Sequence, residues 1–174
     1  MAATINLIQW RSTNAATKAG SASALSFLSA DVAGDPDLID AACRINNPIA
    51  IPAAACDYSY TVHVSACISV APANYVKNFQ IWGSYPAQTP PTGTCMLYGT
   101  EASGAGTTPT DSLNPVGTAA LDAATSDSKA AWDAASYAAA TCSTQYLVMQ
   151  LQVANSACVG DWGACDLNYS YDEA

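Results

Sequence analysis

Charge is what this chain has least of. Only 11% of its 174 residues are Asp, Glu, Lys or Arg, against roughly 25% in an ordinary soluble domain, and just five of them are basic. Five cations cannot assemble a phosphate-neutralising patch, so direct binding of nucleic acid is not expected. Histidine is scarcer still, with His63 the single example, which rules out a multi-histidine metal site. A catalytic role for that imidazole would need a nucleophile and an orienting acid beside it, and no Gly-x-Ser-x-Gly elbow occurs. No window approaches the ~20 uninterrupted apolar residues needed to cross a bilayer. The first ten residues, MAATINLIQW, lack both a basic leader and a long apolar run, and so read as neither secretory signal nor anchor.

What is present is apolar and small. The composition is 51% hydrophobic, Ser, Thr, Asn and Ala stand in for charge, and the formal net charge is −9. A surface with few charges is weakly defended against association, so coverage by partner proteins is expected. The length fits one domain, residues 1–174, large enough to bury a core without an obligatory staple. The seven cysteines form no Cys-x-x-Cys pair, which argues against a zinc knuckle, and an odd number leaves at least one outside any intrachain bridge. Cys158 and Cys165 flank Val-Gly-Asp-Trp-Gly-Ala and are the candidate disulfide, with small buried thiols as the equal alternative.

The strongest pattern is a period of two. In Tyr146–Val153 the residues Leu147, Met149, Leu151 and Val153 share one face, with Gln150 and Gln152 on the other. Asp166–Asp172 repeats it with Leu167, Tyr169 and Tyr171, and the two segments are expected to pair antiparallel across the loop that joins them. Asp57–Val70 reads as one long strand whose apolar face runs Tyr58, Tyr60, Val62, Val64, Ala66, Ile68 and Val70, placing His63 on a polar face at a surface or interface. Tyr75–Tyr85 and a segment from Cys95 continue the sheet, and Ala24–Ser29 is a short further strand. In residues 4–11, Ile5, Leu7, Ile8 and Trp10 put apolar groups on both faces, so 1–11 is a candidate arm for adding a strand to a neighbouring sheet.

Three segments carry alternatives. Asp31, Asp35, Asp37 and Asp40 fit a helix start, with Asp35 as cap and Pro36 in the first turn, better than a calcium loop, because their spacing is not that of an EF-hand. Trp82 and Tyr85 beside a proline-rich loop, with Trp162, are candidate carbohydrate contacts, though aromatic residues at a sheet margin more often pack. Alanine density favours a short helix near Ser128–Ala138. The fold expected is all-β, an antiparallel sandwich of immunoglobulin-like or jelly-roll-like build with one or two short helices in its connections.

The succession Asn78-Phe-Gln-Ile-Trp-Gly-Ser, Met96-Leu-Tyr-Gly-Thr with a Thr/Pro-rich stretch to Pro109, Tyr146-Leu-Val-Met-Gln-Leu-Gln-Val, and Tyr169-Ser-Tyr-Asp-Glu resembles small β-sandwich structural proteins of tailed-phage virions. The resemblance covers about the C-terminal half and carries no site residues with it. It implies a non-enzymatic protein made in the host cytoplasm and displayed in many copies as a capsid decoration or a tail or fibre component. Its partners would be copies of itself and other virion structural proteins, with no nucleic acid, membrane, metal or cofactor. Two other readings compete: an extracellular filament subunit assembled by strand donation, and a carbohydrate-binding module.

Overall fold

The computed structural model describes residues 2–11, 17–21, 49–59, 61–84, 90–102, 119–121, 127–158 and 166–174. In chain order the strands are β1 (Thr4–Arg11), β2 (Thr17–Ser21), β3 (Cys56–Tyr58), β4 (Val62–Val70), β5 (Val76–Ser84), β6 (Thr94–Ala102), β7 (Ala119–Ala120), β8 (Ala130–Asp133), β9 (Gln145–Ala154) and β10 (Asp166–Glu173). They form two antiparallel sheets packed face to face, a β-sandwich. The larger has seven strands in the order β2-β1-β4-β9-β6-β7, with β3 also paired to β9; the smaller has the order β10-β5-β8.

Alternation supplies the core. Leu147, Met149, Leu151 and Val153 of β9, with Val62, Val64, Ala66 and Ile68 of β4, face Val76, Phe79 and Ile81 of β5. Leu167, Tyr169 and Tyr171 of β10 pack against the rim of this core. Phe79 is at its centre, with ring centroids 5.9 Å from Trp132, 6.1 Å from Tyr137 and 5.8 Å from Tyr171.

The expected pairing of the last two strands is not the one formed. β10 joins β5, with Tyr169 opposite Ile81, while β9 lies in the other sheet between β4 and β6. The two alternating segments are therefore the facing walls of the sandwich rather than one hairpin.

Two bulges adjust which side chains point inward. In β5, Val76 and Phe79 are both buried although three positions apart, an odd spacing that an unbroken strand would send to opposite faces. Asn78, at φ 55°, absorbs the extra residue: 78 and 79 together stand opposite Tyr171. The Asn78 Nδ2 amide donates to Asp172 Oδ2 at 2.6 Å and fixes the bulge. The second interruption splits the long strand expected over Asp57–Val70. Between the pairs Tyr58–Gln152 and Val62–Met149 the chain advances four positions on one side and only three on the other. Tyr58 is thereby turned to the face opposite Val62. Ser59 replaces the missing ladder contact with its side chain, accepting from Leu151 N–H at 2.9 Å, and its carbonyl accepts from Gln150 Nε2 at 2.9 Å.

Residues 128–138 are not a helix. They supply β8 and the start of a corner into β9, because contacts across the sandwich outweigh the weak helix preference of alanine. Trp132 donates from Nε1 to Gln145 O at 3.1 Å, and Asp133 accepts at Oδ2 from Tyr137 OH at 2.6 Å and Gln145 N–H at 3.0 Å. Asp133 Oδ1 takes Ala135 N–H at 2.8 Å. Burial, and then the neighbouring Asp133, hold the Tyr137 hydroxyl pKa above its ordinary value. Where the loop enters β6, Gly93 (φ 78°) is required twice over, by its backbone angle and because a Cβ there would lie 2.6 Å from Ala157 N.

The proposed free arm is an inner strand. β1 pairs with β4 from Thr4↔Val70 to Trp10↔His63 and with β2 from Ile8↔Ser21 to Arg11↔Thr17. Ile5 and Ile8 are buried, Leu7 and Trp10 half-buried, and Ala3 N–H donates to Glu173 Oε1 at 2.8 Å. Donating β1 to a neighbour would first require breaking both ladders. Residues 24–29 and 31–44, expected as a strand and a capped helix, lie outside the described residues.

Candidate functional site

After the Asn78 bulge, Gln80, Trp82 and Ser84 alternate out of phase with the buried Phe79 and Ile81, on the outer side of the three-stranded sheet, although the half-buried Trp82 also packs against the core. β10 sets its own polar residues beside them: Ser170 opposite Gln80, Asn168 opposite Trp82 and Asp166 opposite Ser84. Lys129, just before β8, reaches across, its Nζ 5.0 Å from the Trp82 ring centroid and donating to Ser170 Oγ at 3.1 Å. Asn168 Nδ2 donates to Ser84 Oγ at 2.9 Å. Trp82, Ser84, Lys129, Asn168 and Ser170 are all half-buried. The result is a shelf with one indole framed by amide, hydroxyl and ammonium groups. Such a surface can stack an apolar ring face and exchange hydrogen bonds with hydroxyls or backbone amides.

Of the three aromatic residues expected to contact sugar, Trp82 is thus on an outer face. Tyr85 and Trp162 lie outside the described residues.

His63 is not where its polar-face position suggested. It is 2% exposed, its ring edge-on to Tyr146 with centroids 5.7 Å apart and its Nε2 3.6 Å from Glu101 Oε2. Burial lowers its pKa below the ordinary 6.5, and Glu101 opposes that shift. Two residues along the same face, Ser65 is held by Trp10, whose Nε1 donates to Ser65 Oγ at 2.6 Å. Ser65 is also 3.4 Å from the sulfur of Cys67, which is bonded to Cys142. This is a packed polar layer in which the Ser65 hydroxyl is already engaged.

No protein-family model, curated protein or solved structure matches this chain. The site therefore has to be read from its own geometry.

Among the described residues the disulfide is Cys67–Cys142, 75 residues apart in sequence. The Cys158–Cys165 closure is not what Cys158 does: it is an exposed free thiol, while Cys165 lies outside the described residues. Spacing along the chain favoured the short loop, whereas the β8–β9 corner brings Cys142 directly opposite Cys67. Nothing in the sequence marks that pair. Asp133, Tyr137 and Thr144, which build the corner, were equally unmarked, because their partnership depends on the turn between β8 and β9. Among the described residues no group of three or more His, Cys, Asp or Glu is placed to hold a metal. The aspartates at 31–40 lie outside the described residues. No helix among the described residues is long and apolar enough to cross a membrane.

Proposed function

We propose that this chain is a structural protein of a virion, a capsid decoration or a tail or fibre component, which works by contact with copies of itself and with other virion proteins. Its role is mechanical and not enzymatic. The observation that carries this reading is the build of the body: two packed sheets, with the corner between β8 and β9 cross-linked to β4 by Cys67–Cys142. A buried cross-link of this kind suits a protein that works in oxidising surroundings outside a cell. The acidic balance and five basic residues fit a component kept off the packaged nucleic acid.

Burial of the sheet faces supports this reading. Both faces of the larger sheet are buried along β4 and β9, and the inner face of the smaller sheet is core. The outer face of β10-β5-β8, around Trp82, is left for partners. The test is to separate the native source on a density gradient and quantify this chain by mass spectrometry in each fraction. Many copies per dense, nucleic-acid-containing particle support the reading; free protein or light, nucleic-acid-free filaments overturn it.

The same shelf favours one second reading, a carbohydrate-binding module, since a framed indole is how a sugar ring is commonly held. Quenching or a shift of tryptophan fluorescence on adding a glycan, lost in Trp82→Ala, would support it. A glycan array unchanged by that substitution would remove it.

A further inference from the structure

We infer that Cys67 and Cys142 form an oxidation site that closes after the fold is complete, locking a corner that other bonds have already built. The pair sits in an antiparallel bridge flanked by two backbone hydrogen bonds, Ile68 N–H to Thr141 O and Ser143 N–H to Ala66 O, each 2.8 Å. Residues so placed form a non-hydrogen-bonded pair, the position in an antiparallel ladder where facing side chains are closest. Neither backbone bond uses the sulfurs. Further contacts hold the same segment without them: Ser143 Oγ donates to Gln145 O at 2.8 Å and accepts Ala66 N–H at 3.2 Å, and Asp133 binds Tyr137 and Gln145 on the far side of the corner. Two thiols in the reduced chain would therefore already face one another.

The chemistry needs an oxidant, and a low-molecular-weight disulfide supplies it. Cys142 is half-buried and Cys67 is buried, so the more accessible Cys142 thiolate attacks one sulfur of the small disulfide and releases one equivalent of its thiol. Cys67 then attacks Cys142 Sγ in the mixed disulfide and expels the second thiol. Two protein thiols are oxidised, one small disulfide is reduced to two thiols, and the protons pass to those leaving groups. The Ser65 hydroxyl, 3.4 Å from the Cys67 sulfur, is placed to donate to the attacking thiolate. The protein can then fold in a reducing compartment and harden on reaching an oxidising one. The virion reading leans on the same cross-link but not on when it closes, so late closure of the bond and a density gradient that finds only free protein can occur together.

The test uses the full chain reduced with dithiothreitol, cleared of reductant and returned to oxidised glutathione. The tyrosine and tryptophan bands of the near-ultraviolet circular dichroism should be kept on reduction, with only the disulfide's own contribution lost. The thermal midpoint should fall by roughly 5–15 °C and recover on oxidation, as removal of a long-loop cross-link implies. Peptide mapping should recover Cys67–Cys142 as the bond formed. The Cys67→Ser/Cys142→Ser variant should match the reduced wild type and ignore glutathione. Loss of the tyrosine and tryptophan bands on reduction would overturn the inference, since the bond would then be needed to build the corner. Reoxidation into pairs involving Cys56 or Cys158 would overturn it equally.

Discussion

The two sheets share one sequence grammar and use it differently. In both, apolar and polar residues alternate and the apolar set meets in the middle. Along the middle of the larger sheet, in β4 and β9, polar residues are buried as well: Ser65 and Gln150 are 0% exposed and His63 is 2% exposed, whereas Asn6 of β1 and Thr100 of β6 are exposed. In the smaller sheet Gln80, Asn168 and Ser170 remain half-exposed. The difference lies in how the polar groups are satisfied. Gln150 bonds Ser59 O and Ser65 accepts from Trp10, so these buried polar groups of the larger sheet are answered from within the protein, whereas Thr61 Oγ1, just before β4, is buried with no hydrogen-bond partner. The smaller sheet's outer groups bond one another, Lys129 to Ser170 and Asn168 to Ser84, and stay half-exposed. Alternation thus tells which residues face together, while burial of the second face depends on what the rest of the chain lays over it.

The most disruptive way to test this division is to remove what joins the halves. Phe79→Ala deletes the ring shared by Trp132, Tyr137 and Tyr171, and should cost about 3–5 kcal/mol in urea unfolding while both sheets still melt in one transition. Separate transitions for the two sheets would mean that they are not one cooperative body.

Equivalent polar residues should then differ in cost. Gln150→Ala removes a buried side-chain donor to the Ser59 carbonyl and should cost about 1–3 kcal/mol. Gln80→Ala, on the outer face of the smaller sheet, should stay within about 0.5 kcal/mol. Equal costs would erase the distinction.

The pH dependence sharpens the same contrast and is bounded by a single proton. His63 is buried with its pKa lowered, so the unfolded chain binds the proton more readily than the folded one. Its contribution to stability is whole above the ordinary 6.5 and is lost as pH falls from there toward the lower folded value. Chemical denaturation of wild type against His63→Gln across pH 7.5 to 4.5 should show a slope in the wild type that the variant lacks.

A modest effect is expected at the shelf. Lys129→Ala removes the cation over Trp82 and the bond to Ser170, and should change stability by about 0.5–1 kcal/mol while shifting tryptophan emission.

How far the sequence carried can be followed strand by strand. The inward faces of β9 and β10 were legible because Leu147 to Val153 and Leu167 to Tyr171 alternate without a break. Their partners were not, since register across a sandwich depends on contacts some 90 residues apart, as for Tyr169 and Ile81. Tyr58 was assigned to the wrong face because one extra residue at 59–61 inverts the phase, and Ser59 looks like any other serine. The helix expected over 128–138 came from alanine content, a weak preference that Trp132 and Asp133 override through tertiary bonds. His63 was placed at the surface because its neighbours Ser65 and Cys67 are polar; small side chains with internal partners can be covered as readily as apolar ones. For the candidate site, Trp82 was visible as an aromatic at a strand end, while Lys129 and Asn168 became its neighbours only through the pairing of three separated strands.

The account stands on the outer face of β10-β5-β8 being the surface that meets other proteins. Hydroxyl-radical labelling of the native assembly and of the dispersed protein, compared residue by residue, tests this directly. Trp82 should label in the free protein and be protected several-fold in the assembly, with Trp132, buried in the core, unlabelled in both. Equal labelling of Trp82 in the two states would contradict it.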